Sequence, residues 1–230
     1  GAFEEFAPGA GEQWRAFDAR GRRIWDVAER TFFAGPMSNP WSLAKRLRSP
    51  FDLTAIDPLR TLHRSAGSFF DDPRLVQWAD RYATYSGSSP YAVPATLACI
   101  PHIEARYGCW YPMGGLDELR NAFVWVATEV GVDIRTGSEV VSIEAGERVT
   151  GVVLADGTHE RADIVVANTD AEHLYADLLH DSVALARVRL AKRSTSGFVL
   201  CLGVRGLTPN LTHHNVWFSD KYRAEYDQLD

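Results

Sequence analysis

Several short stretches of this sequence carry side chains that can do chemistry. Gly114-Gly115 stands directly before an amphipathic run, and two residues without a Cβ let a backbone approach a flat ligand closely. The same pair serves equally well as a plain entry turn to a helix. Tyr82, Tyr85 and Tyr91 cluster around Ser86, Gly87, Ser88, Ser89 and Pro90, aromatic faces mixed with small residues. That mixture suits an elongated or flat ligand, and it also fills ordinary loops. Asn168, Thr169 and Asp170 follow the apolar run Ile164 to Ala167, at the carboxyl end of an expected strand, where α/β sheets place ligands. Alternatively, Thr169 or Asp170 caps the helix expected through Leu179. His213 and His214 offer imidazoles for acid–base work or a metal. On a strand they point to opposite faces and cannot both enter one site. With no Asp or Cys beside them at metal spacing, we expect no metal, and one of the two lining a ligand channel.

The totals exclude some classes. A net charge of −6 over 230 residues disfavours a nucleic-acid binder, which needs many Lys and Arg against phosphates. The cysteines Cys99, Cys109 and Cys201 are odd in number and lack CxxC spacing, which argues against a disulfide framework or zinc site and suits a reducing cytoplasm. No apolar run approaches the roughly 18 residues of a membrane span. The start, GAFEEFAPGAGEQW, is acidic and lacks the apolar region of a signal peptide. It also lacks an initiator Met, and we read the chain as a piece of a longer protein.

The elements that must position these groups follow from periodicity. Trp14, Phe17, Ile24, Trp25 and Ala28 recur at helical spacing over Gln13 to Arg30, with Gly21 weakening the middle by about 1 kcal/mol relative to Ala. Thr31 to Pro40 reads as a loop, and Trp41 to Arg48 as a short helix ended by Pro50, with Lys45, Arg46 and Arg48 beside Trp41, Leu43 and Leu47. That face is either solvated or able to touch an anionic membrane. Asp57-Pro58 is expected to start a helix through Phe70, and Asp71-Asp72-Pro73 another carrying Leu75, Val76, Trp78 and Ala79. A helix from Pro94 to Arg106 should kink or end early at Pro101.

Met113 to Asp170 is the densest stretch. Leu116, Leu119, Phe123, Val126 and Ala127 mark a helical face that stops at Gly131. Strands are expected at 132–135, 139–144, 148–154, 158–161 and 164–167, with Asp156-Gly157 as a hairpin turn and the last strand buried on both faces. Ser196 to Val204, continued by Val216 to Phe218, reads as further strand.

The succession GG-x-x-x-L, GV-x-I, EV-x-x-I, V-x-GV-x-x-x-DG and AD-x-VV-x-N-x-D resembles the flavin-dependent amine oxidase and carotenoid desaturase superfamily. Tyr85 to Ala95 (YSGSSPYAVPA) and His213 to Tyr222 are similar to the bacterial-type phytoene desaturases. The matches run in family order from about Trp41 to the C-terminus. The phosphate-binding G-x-G-x-x-G is not matched: Gly9-Ala10-Gly11 lacks a third Gly and a preceding strand. The Gly- and Pro-rich segment near the family's C-terminus is also missing, so the chain resembles the middle portion of such an enzyme.

The resemblance implies an α+β / α/β fragment of a two-domain flavoprotein. Residues 1–108 and 185–230 would form a substrate-binding domain of helices over an antiparallel sheet, and 109–184 the central part of an FAD-binding domain with its β-meander. It implies that Val140 holds the flavin's adenine through its backbone, although a plain buried strand Val also fits. Gly114, Gly115, Asn168 and Thr169 would be further cofactor contacts, and Tyr85, Gly87, Pro90, Tyr91, His213 and His214 substrate contacts. An acid three residues before an Arg is a proposed catalytic participant in the family. Lys45 and Arg48 fall at those places, so Arg48 is matched and the acid is not, which puts phytoene itself in doubt. Asp57 and Arg60 have the same spacing in the wrong register. The implied activity is flavin-dependent desaturation of a long apolar isoprenoid or carotenoid. Peripheral membrane contact through Trp41 to Arg48 is then expected, as is loss of FAD from this fragment. The rivals are an amine oxidase-like enzyme with Tyr85 and Tyr91 as an aromatic cage, and a non-catalytic carotenoid- or lipid-binding module.

Overall fold

A computed structural model describes residues 1–36, 40–49, 51–206 and 208–228. The chain divides into two compact units, residues 1–110 with 194–230, and residues 111–193. The fold is α+β, helices with a small three-stranded antiparallel sheet.

In the first unit the helical periodicity of the opening residues yields α1 (Ala2–Phe6) and the 22-residue α2 (Ala10–Thr31). Phe17, Ile24, Val27 and Ala28 form the buried stripe of α2. The chain continues through α3 (Pro40–Ala44), α4 (Phe51–Ala55), α5 (Leu62–Ala66) and α6 (Pro73–Asp80). A 3₁₀ turn (Ala95–Ala98) leads into α7 (Cys99–Tyr107). The core joins Phe17 and Ile24 to Leu62, Ala66, Phe70, Leu75, Ala79, Tyr82, Val93 and Ala98. At its edge Phe3 stacks on Trp14 at 4.8 Å, and Trp78 meets both edge-on.

Gly21 has a different role from the weak point expected of it. A Cβ there would stand 2.5 Å from the Ala98 carbonyl oxygen and 2.9 Å from His102 Cβ. Its missing side chain is what lets α2 lie against the 3₁₀ turn and α7. One turn earlier Asp18 bonds His102 Nδ1 at 2.9 Å.

Three other expectations are corrected. The helix from Pro58 does not form, because residues 60–62 pair in extended form with 93–95: Leu62 N–H donates to Val93 O and Ala95 N–H to Arg60 O. Asp57 takes a left-handed φ of 53° and receives Arg20 at 3.2 Å and Arg60 at 2.6 Å. Thr61 caps α5 instead, its hydroxyl accepting from Arg64 N–H. Pro101 neither kinks nor ends α7, because it sits in the first turn, where no N–H is needed. The helix expected over Trp41 to Arg48 ends at Ala44. Pro50, expected to terminate it, and Met37 to Asn39 of the expected loop lie outside the described residues. Asp72 caps α6 as its sequence suggests, accepting from Arg74 N–H.

The chain returns to the first unit beside Gly87, whose φ is 58°. Thr195 N–H donates to Gly87 O at 2.7 Å, and a Cβ on Gly87 would meet Ser194 Cβ at 2.9 Å. Residues 196–204 and 216–218, expected as strands, form no ladder among the described residues. Phe198, Val199 and Leu202 are exposed. The strand part expected over 185–230 therefore forms no ladder among the described residues. The unit closes with a last short helix, α11 (Tyr222–Asp227).

That second unit contains α8 (Leu116–Glu129), β1 (Val140–Ala145), β2 (Val149–Leu154) and β3 (His159–Arg161), in sheet order β1-β2-β3. The hairpin at Asp156-Gly157 forms as its sequence dictates: Gly157 has φ 84°, and the Asp156 carboxylate accepts from Thr158 N–H at 2.9 Å. Gly131, at φ 82°, follows the end of α8. Residues 132–135 and 164–167 join no ladder among the described residues, and Ile164 and Val166 are exposed rather than buried on both faces. Asp170 caps α9 (Ala171–His173), which runs on as a π-helical turn to Leu178, and Asp181 caps α10 (Ser182–Leu190). Ile143 of β1 and Leu178 of that turn are the unit's buried apolar side chains among the described residues.

Candidate functional site

The first unit holds a polar pocket of about 460 Å³ built by α5, α6 and α11. His63 reaches it from the second residue of α5, and Asp80 from the last residue of α6. His63 Nδ1 and Asp80 Oδ2 are 2.7 Å apart. Asp80 is fully buried, and its Oδ1 has no hydrogen-bond partner among the described residues. Burial pushes this carboxyl up from its usual range, opposed by the hydrogen bond with His63. Tyr91 packs on the His63 ring at 4.6 Å, and the Arg223 guanidinium lies 4.8 Å above Tyr91. Tyr222 and Tyr226 share a 3.0 Å hydrogen bond between hydroxyls, and burial raises the Tyr222 hydroxyl far above the tyrosine range.

Beside it runs an apolar pocket of about 500 Å³ lined by Phe3, Phe6, Leu75, Trp78 and Phe218. Gln77 and Asp220 border both pockets. Gln77 Nε2 donates to Ser219 O at 2.9 Å, which ties the 218–220 segment to α6 and places Phe218 in the apolar lining. A carboxylate–imidazole pair can hold a polar group, and the neighbouring aromatic pocket an apolar one.

The residues singled out from sequence are scattered. Tyr91 lines the polar pocket, and the carbonyl of buried Pro90 accepts from His63 N–H at 3.1 Å. Gly87 serves the close approach of Ser194 and Thr195. Tyr85 is tied elsewhere: with Tyr82 it clasps Glu104, at 2.8 and 2.7 Å, the two rings stacked at 6.0 Å. The Glu104 bond, then burial, raises the Tyr85 hydroxyl. His213 and His214 lie in a bend rather than a strand, and their rings pack perpendicular at 4.5 Å, so the opposite-face argument does not apply. Among the described residues no group of three or more His, Cys, Asp or Glu is arranged to hold a metal. Arg48 is exposed, its backbone N–H donating to Asp52 Oδ2, and it lines neither pocket. His63 and Asp80 were not visible from the sequence as a site, although a carboxylate directly after the buried Leu75–Ala79 face is the kind of signal that marks one.

In the second unit Gly114 and Gly115 both have φ 95°, Val140 pairs with Leu154 on edge strand β1, and Asn168 and Thr169 are exposed. Gly9 and Gly11 donate their N–H groups to the Glu4 carboxylate at 3.0 Å each, and α1 rather than a strand precedes them.

A model of flavin-containing amine oxidoreductases matches residues 3–217. The chain belongs to this family. Among its relatives, a 4,4'-diapolycopene oxygenase of Methylomonas sp is 34% identical over 98% of this chain and 46% of that protein. A 1-hydroxycarotenoid 3,4-desaturase of Flavobacterium sp. is 38% identical over 70% of this chain and 33% of its own length. A hydroxyneurosporene desaturase of Cereibacter sphaeroides is 38% identical over 94% and 44%. The chain thus spans less than half the length of these curated relatives, whose names fit the carotenoid-desaturase motifs in the sequence. The family's cofactor is a flavin. Among the described residues β1, which carries Val140, is an edge strand of the sheet, and the Gly9 and Gly11 N–H groups are engaged by the Glu4 carboxylate rather than free to cradle a phosphate.

Proposed function

We propose that this chain is a portion of a flavin-dependent oxidoreductase that desaturates or otherwise oxidises a long apolar isoprenoid. The observation that carries the reading is the pocket of Phe3, Phe6, Leu75, Trp78 and Phe218, with Arg74 and Asp220 at its border, whose aromatic side chains suit the body of an apolar ligand. The carotenoid-acting names of the relatives favour the same substrate class. On this reading residues 1–110 with 194–230 hold the substrate and 111–193 contribute to the flavin domain through Val140, Gly114, Gly115, Asn168 and Thr169. A bound flavin would take a hydride from the carbon chain. Less support falls to the amine-cage reading, since the Tyr85 hydroxyl is held by Glu104 while the Tyr91 ring packs on His63 at the other pocket.

We extend the proposal to the surface of a membrane on the cytoplasmic side. No helix among the described residues is long and apolar enough to cross a membrane. Trp41, Phe51 and Leu53 are exposed on α3 and α4, near Lys45 and Arg48 in sequence. Arg46 is excluded from that face, since its guanidinium bonds the carbonyls of Thr31, Gly35 and Pro36. The chain alone is not expected to retain FAD.

Tryptophan fluorescence tests the reading: liposomes carrying a conjugated polyene should quench the chain beyond empty liposomes, and Trp78→Leu should remove most of the difference. Equal quenching by both liposomes would sink it.

A further inference from the structure

One wall of the aromatic pocket is supplied by α1, a five-residue helix none of whose residues is buried. Phe3 and Phe6 of α1 line the cavity of about 500 Å³. A second cavity, of about 470 Å³, lies where α1 faces Gly11, Trp14 and Arg15 of α2, so the helix has space on both sides. Phe3 rests on Trp14 and Trp78, and the Arg74 guanidinium covers the Phe6 ring at 4.4 Å. Ring contacts of this kind slide, and the directional hold comes from Glu4. Its Oε1 accepts from Gly9 N–H and its Oε2 from Gly11 N–H, each at 3.0 Å. These amides open α2, where the first N–H groups of a helix have no acceptor within it. The two bonds, Gly9 first, hold the Glu4 carboxyl below its usual range. Gly9, at φ 78°, makes the bend between the two helices. Gly11 contributes differently: a Cβ there would stand 2.9 Å from Glu4 Oε2, so the carboxylate reaches this amide only because position 11 has no side chain.

We propose that α1 is a hinged wall of the aromatic pocket and that Glu4 is its latch. With the carboxylate on the Gly9 and Gly11 amides, Phe3 and Phe6 close over the ligand. With the latch released, α1 swings about Gly9 and an apolar chain enters or leaves, while Leu75, Trp78 and Phe218 remain as the floor. This rests on the reading of that pocket as the site of a long apolar ligand, and adds how the ligand is admitted. Hydrogen bonds at an exposed site exchange with water at small net cost, so the latched state is favoured by a modest factor and opens by thermal motion. Arg74, paired with Asp72 at 2.6 Å, belongs to the closed state through its place over Phe6.

The experiment loads the full chain with diphenylhexatriene, an uncharged polyene rod, and mixes it with empty liposomes. Stopped-flow energy transfer from tryptophan follows the release. Glu4→Ala removes the latch, and Gly11→Ala displaces it with the charge intact. Position 11 lies in α2 without a positive φ, and Glu4 and Gly11 stand outside the buried core, so both variants keep the fold. Each should speed release about tenfold, the equivalent of 1.4 kcal/mol, and the double variant no more than either alone, because both break one latch. Without ligand, acrylamide should quench tryptophan emission more strongly in both variants, because the Phe3 ring leaves Trp14 and Trp78. Release at the parent rate in both variants overturns the latch and leaves the pocket reading standing. Faster release in Glu4→Ala alone also overturns it, since the bond to Gly11 is then not what holds α1. No uptake of diphenylhexatriene by the unsubstituted chain overturns the pocket reading, and unchanged acrylamide quenching in both variants overturns the latch independently of it.

Discussion

The two units use their apolar sequence in opposite ways. In the first, α2 buries Phe17 and Ile24 completely, and the 3₁₀ turn, α5 and α6 close over them. In the second, α8 has equally regular spacing of Leu116, Leu119, Phe123 and Val126, yet no residue of that helix is buried. Periodicity states which face a helix would bury; it does not supply the surface that covers it. Helices gain most of their stability from such packing rather than from propensity, so the first unit should carry the cooperative stability of this chain.

The sharpest way to break that comparison is to cut one aromatic ring from each unit. Phe17→Ala should lower the free energy of unfolding by about 3–5 kcal/mol, and Phe123→Ala by no more than about 0.5 kcal/mol, as read from urea unfolding. Equal losses would show that α8 is packed in solution. Gly21→Ala comes next, at about 1–3 kcal/mol, because the new methyl meets the Ala98 carbonyl rather than open space. Gly131→Ala has room for the methyl, and its strain at positive φ should cost about 1–2 kcal/mol while acting on the second unit alone.

A smaller effect separates the units by pH. Burial would raise the Asp57 carboxyl, but the hydrogen bonds of Arg60 and Arg20 outweigh it and leave it below the usual carboxylate range. The stabilisation is therefore present above the unfolded value of about 3.9 and disappears as pH falls through the lower folded value. Asp57→Asn should cost about 1 kcal/mol at pH 7 and almost nothing at the acid end, with the urea midpoints of mutant and parent converging. The weakest perturbation is chemical. Burial pushes the Cys99 thiol up to about 11, so iodoacetamide at pH 8 should label exposed Cys109 and Cys201 first, and Cys99 only as the first unit opens. Prompt labelling of Cys99, followed by mass spectrometry, would show a looser core than the packing implies.

Local chemistry was readable wherever it acts over a few residues. Asp72-Pro73 at the start of α6, Asp156-Gly157 in the hairpin and the α2 stripe of Phe17 and Ile24 each declare themselves in sequence. What was not readable depends on partners far along the chain. Asp57-Pro58 has the composition of a helix start, but pairing of residues 60–62 with 93–95 takes that backbone, and two arginines hold the Asp. Gly21 looked like a defect until Ala98 stood beside it. The site suffered most. Of its two central residues, His63 and Asp80 are separated by a helix and a turn, and only the packing of α5 on α6 makes them a pair. Tyr91 was legible as part of an aromatic cluster, whereas the tether of Tyr85 to Glu104 was not.

The hydrogen bond from Thr195 to Gly87 closes a loop of roughly 110 residues that contains the whole second unit. Closing a flexible loop of that length costs about 4 kcal/mol plus a constant, and the cost grows only with the logarithm of length. Lengthening or shortening the enclosed segment by half would alter it by less than about 1 kcal/mol. The first unit is therefore nearly indifferent to how much chain it encloses, and the aromatic pocket can be kept intact while the enclosed part is rebuilt.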